Sequence, residues 1–96
     1  MVAVTGRARV ITFEQVTSLS SATSLAVPTG CDEAWLQAEG AVVRYRADGT
    51  APTTAIGNQM QITDRPLVLN KQMLDAASFI EESASAKLNV HYFSWK

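Results

Sequence analysis

Cysteine and histidine occur once each in these 96 residues, as Cys31 and His91, and that scarcity removes much chemistry at the outset. One cysteine permits neither an intramolecular disulfide nor a cysteine-based metal cluster. Asp32 and Glu33 beside it disfavour a thiolate, so Cys31 reads as a small, partly buried filler at the start of a strand. Nucleophilic catalysis needs a base within reach of the nucleophile, whereas Cys31 and His91 lie 60 positions apart in segments that read as different strands. A metal site built on His91 would have to recruit carboxylates such as Asp48 or Asp64, and no ligand spacing supports that. The acidic pairs Asp32-Glu33 and Glu81-Glu82 are sequence neighbours, which point apart on extended chain and read as solvated turn charges. The five glycines match neither dinucleotide-binding nor phosphate-loop spacing. The expectation is a protein that is not an enzyme and carries no cofactor or metal.

Charge and long apolar runs are scarce as well. Only 18% of residues are charged and the formal net charge is −1, so no basic excess suggests nucleic acid as a partner. No run approaches the ~20 consecutive apolar residues of a membrane helix. Arg7 and Arg9 precede no continuous apolar block with a cleavage site, so no secretory signal is expected and synthesis in a cytoplasm is. The 47% apolar content suits one domain over residues 1–96, burying about 60–65% of its unfolded surface.

What is present is two-residue alternation between turn signals. Ala34, Leu36 and Ala38 share one face while Trp35, Gln37 and Glu39 share the other, the signature of a half-buried strand. After Gly40, Val43 and Tyr45 face one way and Val42, Arg44 and Arg46 the other. A glycine turn between two such runs predicts an antiparallel β-hairpin, closed beyond by Asp48-Gly49. Residues 7–16 read as a first strand in which adjacent Val10 and Ile11 hint at a bulge or at burial on both faces. Residues 17–24 are polar and low in complexity, a loop leading to a short strand over 25–27 that Pro28 ends. Residues 59–63 alternate with Met60 and Ile62 inward, residues 64–66 turn, and residues 67–69 continue as a strand that Pro66 places at an edge or a strand start. Residues 70–82 offer Asn70 as an N-cap and an apolar set, Met73, Leu74, Ala77 and Ile80, that fits a helical face; a single helical turn followed by a strand from Ser78 is the preferred reading. The last strand turns Leu88, Val90 and Tyr92 inward and Lys87, Asn89, His91 and Phe93 outward. About eight short strands without long helices predict two antiparallel sheets face to face, a small jelly-roll-like all-β sandwich.

The stretch AWLQAEGAVVRYRADGTAPTTAIG, followed later by the short strand AKLNVHYF, resembles a pattern in small, mostly uncharacterised tailed-bacteriophage proteins encoded among virion structural genes. The shared order is an alternating strand, a glycine turn, V-R-Y-R, then D-G-T-x-P-T and a later glycine. Residues 1–16 carry no matching motif, and the segment KQMLD departs from the glycine turn of that pattern. The resemblance implies a structural role in the virion, such as a capsid decoration or cement protein. Its partners would be the major capsid protein or another virion protein, and its own state a small homo-oligomer such as a trimer.

Several residues stand out as contact candidates. Arg44 and Arg46 lie on one strand face about 7 Å apart. They read either as anchors for a partner's carboxylates or as a solvated face on which Asp48 pairs locally. Residues 47–58 form a long link in which Thr50, Thr53 and Thr54 offer hydrogen bonds and Pro52 limits ordering cost. That link reads either as a contact loop or as a simple crossing between sheets. Trp95, next to the last residue, is hard to shelter in so small a domain and is expected to enter a partner, with Trp35 as a second candidate. A competing function is a glycan-binding or adaptor module of a phage tail or fibre, with sugars stacked on Trp35, Trp95 or Tyr92.

Overall fold

Eight strands and one short helix follow one another in the computed structural model, which describes residues 8–96. They are β1 (Arg9–Val16), β2 (Thr23–Ser24), β3 (Glu33–Glu39), β4 (Val43–Arg46), β5 (Asn58–Met60), β6 (Leu67–Asn70), α1 (Lys71–Ala76), β7 (Ser78–Glu81) and β8 (Lys87–Ser94). Two four-stranded sheets result, in the orders β1-β8-β3-β6 and β2-β7-β4-β5, with every pairing antiparallel. The first strand pairs with the last, the second with the seventh, the third with the sixth and the fourth with the fifth. That is the pairing of one long antiparallel ribbon rolled into a sandwich, the jelly-roll arrangement. The expected all-β sandwich of about eight strands is what the chain forms.

The core follows the alternation. Ala34, Leu36 and Ala38 of β3 and Leu88, Val90 and Tyr92 of β8 face inward and meet Val43 and Phe79 of the opposite sheet in one buried cluster. Partly buried Tyr45 extends it, its ring stacked 6.1 Å from that of Phe79. Asn70 caps α1 by accepting a hydrogen bond from the Met73 amide at 2.9 Å, and Leu74 is the helix's buried residue. Six residues of helix and then β7 at Ser78 match the preferred reading of this segment. Of the two readings at Val10 and Ile11 the chain takes the bulge, a register shift between Val10 and Thr12 in the pairing with β8, with both side chains exposed.

Four expectations need correction. The run from β3 through Gly40 to β4 is not a hairpin, because β3 pairs with β6 and β8 while β4 pairs with β5 and β7. Gly40 is a corner at which the ribbon leaves one sheet for the other. The short strand expected at 25–27 lies instead at Thr23–Ser24. The preceding loop is less polar in its role than in its composition, since Leu19 is fully buried and its carbonyl accepts the Glu81 amide at 2.9 Å. Ile62 is not inward: β5 ends at Met60, which is buried, and Ile62 is 49% exposed. Of the strand expected over 7–16, Arg7 falls outside the described residues.

At the Gly40 corner φ is +84°, and a Cβ there would lie 2.7 Å from the Ser85 carbonyl oxygen. Backbone meets backbone, so no side chain can swing aside. Gly49 has nearly the same φ, +85°, but open space around its Cβ position. Gly49→Ala should therefore cost only the left-handed backbone term, about 1–2 kcal/mol, and Gly40→Ala clearly more. Urea unfolding of the two variants measures the difference, and equal losses would rule out the steric account.

Candidate functional site

The outer faces of the two sheets and the loop joining β4 to β5 hold the candidates. Because opposed residues of paired antiparallel strands share a face, the registers place Phe13, His91, Trp35 and Val68 in one row across all four strands of the first sheet, facing away from the core. Phe13 and His91 have ring centroids 4.7 Å apart, Trp35 packs on Phe93 at 5.3 Å, and His91 lies 6.4 Å from Phe93. The neighbouring row is polar: Gln15 donates to the Asn89 carbonyl oxygen at 2.8 Å, and the Asn89 amide nitrogen donates to Glu39 at 3.0 Å. Between the rows runs a groove of about 390 Å³ bounded by Phe13, Trp35, Leu36, Gln37, Pro66, Asn89 and His91. The Trp35 indole N–H is covered and has no acceptor among the described residues.

Trp95 is tied down at the end of the chain. Its backbone amide donates to Asp32 at 2.8 Å and its indole to Glu33 at 2.5 Å, while half of the residue remains exposed. Glu33, expected as a solvated turn charge, is instead a buried residue of β3, and its second carboxylate oxygen has no partner among the described residues. Tyr92, one of the sugar-stacking candidates, lies inside the sandwich, where its hydroxyl donates to Glu14 at 2.5 Å. Burial, reinforced by the Glu14 carboxylate that accepts its proton, holds the phenol far above its ordinary pKa. Its ring face is not available to a ligand.

On the outer face of the second sheet Arg44 is already committed. It donates from Nε to Glu82 at 3.0 Å and from Nη1 to the Gly57 carbonyl at 2.9 Å, and Gln59 donates to the same carboxylate at 2.8 Å. Hydrogen bonds from Gln59 first, then from Arg44, hold the Glu82 carboxyl below its ordinary pKa. Ile80 sits directly beside Arg44 in the ladder and is nearly covered. Arg46 forms a bidentate pair with Asp48 at 3.1 and 2.5 Å, which keeps the Asp48 carboxyl below its usual range. The two arginines thus lean on carboxylates of their own chain.

The 47–57 link is the tip of the rolled ribbon, since β4 and β5 pair with each other, and it does not cross between sheets. It has internal order. Asp48 accepts the Thr50 amide at 3.3 Å, and Thr53 Oγ1 accepts the amides of Ala55 at 3.2 Å and Ile56 at 2.9 Å. The Thr53 amide in turn donates to the Ile56 carbonyl at 2.9 Å, and Pro52 is buried. Ile56 projects from this frame, 58% exposed. Sequence alternation singled out neither Ile56 nor Phe13, because neither sits in a clean two-residue pattern.

Cys31 is buried, its thiol donates to the Glu33 carbonyl, and burial pushes its pKa up, so it is held as a thiol. Among the described residues no group of three or more His, Cys, Asp or Glu side chains is placed to hold a metal ion. No helix among them is long and apolar enough to cross a membrane. Comparison with known protein families, curated proteins and solved structures returned no match.

The two arginines should separate in stability measurements. Arg44→Ala releases the Gly57 carbonyl and uncovers Ile80, and should lower the melting temperature by roughly 4–8 °C, the effect of about 1 kcal/mol in a domain of this size. Arg46→Ala should leave it within about 2 °C. Glu82→Gln tests the sign with pH. A carboxyl with a lowered folded-state pKa stabilises above its unfolded value and loses that contribution as pH falls through the folded one, so the parent's advantage should shrink as pH falls below the ordinary Glu value of about 4.3. An advantage that persists at low pH would show that Glu82 acts by packing rather than by charge.

Proposed function

We propose that this chain is a non-enzymatic structural protein of a bacteriophage virion. In this reading it is a decoration or cement subunit that sits on the capsid as a small symmetric oligomer and contacts the major capsid protein or another virion protein. The virion is its place of residence and the host cytoplasm its place of assembly. The observation that carries the reading is the tip loop. Eleven residues between β4 and β5, far more than a hairpin needs, are held in one shape by Thr53, Pro52 and the Arg46–Asp48 pair, and they present an apolar Ile56. A loop ordered before binding loses little conformational entropy on docking, which suits a subunit that works by adhesion alone. The resemblance of residues 34–57 to phage virion proteins supplies the kind of partner.

Particles assembled with and without the protein, imaged by electron cryomicroscopy, test this. Regular added density on the head, with the β4–β5 tip against the capsid, is the expected result; particles that look the same with the protein present would overturn it. Ile56→Ala should weaken co-sedimentation with particles by about tenfold, the cost of about 1.4 kcal/mol expected for a central apolar contact. Its melting temperature should stay near the parent's, because the side chain is exposed.

A further inference from the structure

The groove on the outer face of the first sheet has the chemistry of a ligand site, and we propose that it binds a neutral saccharide, one pyranose ring stacked against Phe13, His91 and Trp35 with its hydroxyls met by Asn89 and Gln37. The groove lies on a different sheet from the β4–β5 tip, so this site goes beyond particle attachment and stands or falls independently of it.

Three features choose this class of ligand. The lining, Phe13, Trp35, Leu36, Gln37, Pro66, Asn89 and His91, contains no carboxylate, lysine or arginine, so no fixed charge invites an ionic ligand. Rings and amides stand on adjacent rows, which matches a molecule with an apolar C–H face and a rim of hydroxyls. Asn89 is held from both ends, accepting from Gln15 at 2.8 Å and donating to Glu39 at 3.0 Å, so its amide is set before a ligand arrives. A peptide suits the place poorly. The groove lies over the face of the sheet, where side chains and not backbone groups project, so an extended chain lying in it would find no strand edge to pair with.

The test is a titration of the folded protein with maltotetraose, cellotetraose, mannotetraose and chitotetraose, each to about 10 mM, the range of weak single-site binding. Amide and indole resonances are followed by NMR, and Trp95→Phe tells the two indole signals apart. The expected result is saturable shifts at the Trp35 indole and at the Gln37 and Asn89 side chains with at least one sugar. Phe13→Ala and Gln37→Ala, both at exposed positions, should each weaken binding about tenfold with the fold intact. The proposal is overturned if none of the four sugars moves these signals, or if Phe13→Ala leaves the affinity unchanged. It is also overturned if the same resonances shift with protein concentration alone and Phe13→Ala abolishes that shift, since a second copy of the chain would then be the occupant.

Discussion

The contact of Leu36, Val90 and Tyr92 with Val43 and Phe79 across the two sheets is what the rest of the molecule depends on. No disulfide holds the layers together, so apolar burial must, at roughly 1.5–3 kcal/mol for each large side chain removed from water. The same contact fixes the register. Slipping β8 by one residue would carry Leu88, Val90 and Tyr92 to the outside. With them held inside, His91 is forced outward between Phe13 and Trp35, and the aromatic band is a consequence of the core. Tyr92 shows the cost of this arrangement: a phenol forced inward needs an acceptor, and Glu14 on the neighbouring strand supplies one.

How much of this was legible in the sequence depends on the range of the interaction concerned. Local signals read true: the alternation of β3 and β8, the Asn70 cap, the bulge at Val10 and the edge position of β6 after Pro66 all depend on neighbours along the chain. The run through Gly40 failed because a hairpin and a sandwich corner share one local pattern, two alternating strands around a glycine. What separates them is the partner of each strand, and for β4 one of those partners is β7, more than thirty residues away. Leu19 was missed for a similar reason. It is one apolar residue among serines and threonines, and only the groove between the sheets makes a place for it. At the contact residues, sequence placed Arg44 and Arg46 on one face, while their carboxylates, Glu82 for one and Asp48 for the other, were half visible: Asp48 is local and Glu82 is not.

Those pairings bear on the adhesion proposed above. An arginine that already shares a carboxylate with Gln59 and holds the Gly57 carbonyl must give up those bonds before it can grip a partner, and the part-buried acceptors left behind would oppose that. Arg46 and Asp48 form a pair at the foot of the tip loop and stiffen it. In the attachment proposed above, the arginines would act through the shape they give the β4–β5 tip, and a partner would meet mainly threonine hydroxyls, backbone and Ile56. Near-neutral charge fits that mode of contact, in which complementarity of shape outweighs long-range steering.

The edges of the sheets direct association the same way. An open strand edge is the easiest place for another chain to add, and the described residues of this sandwich leave four. Two of them, β2 and β5, are two and three residues long. A third, β6, has four residues and follows directly on Pro66, which cannot donate to a ladder. Only β1 is long, and the bulge between Val10 and Thr12 breaks its regular pattern of donors and acceptors. Each edge is thus shortened or distorted, while the internally hydrogen-bonded tip loop and the outer aromatic face expose Ile56 and Phe13. The two proposed contact surfaces therefore lie on different sheets and do not overlap, so occupation of one would not require the other to be empty.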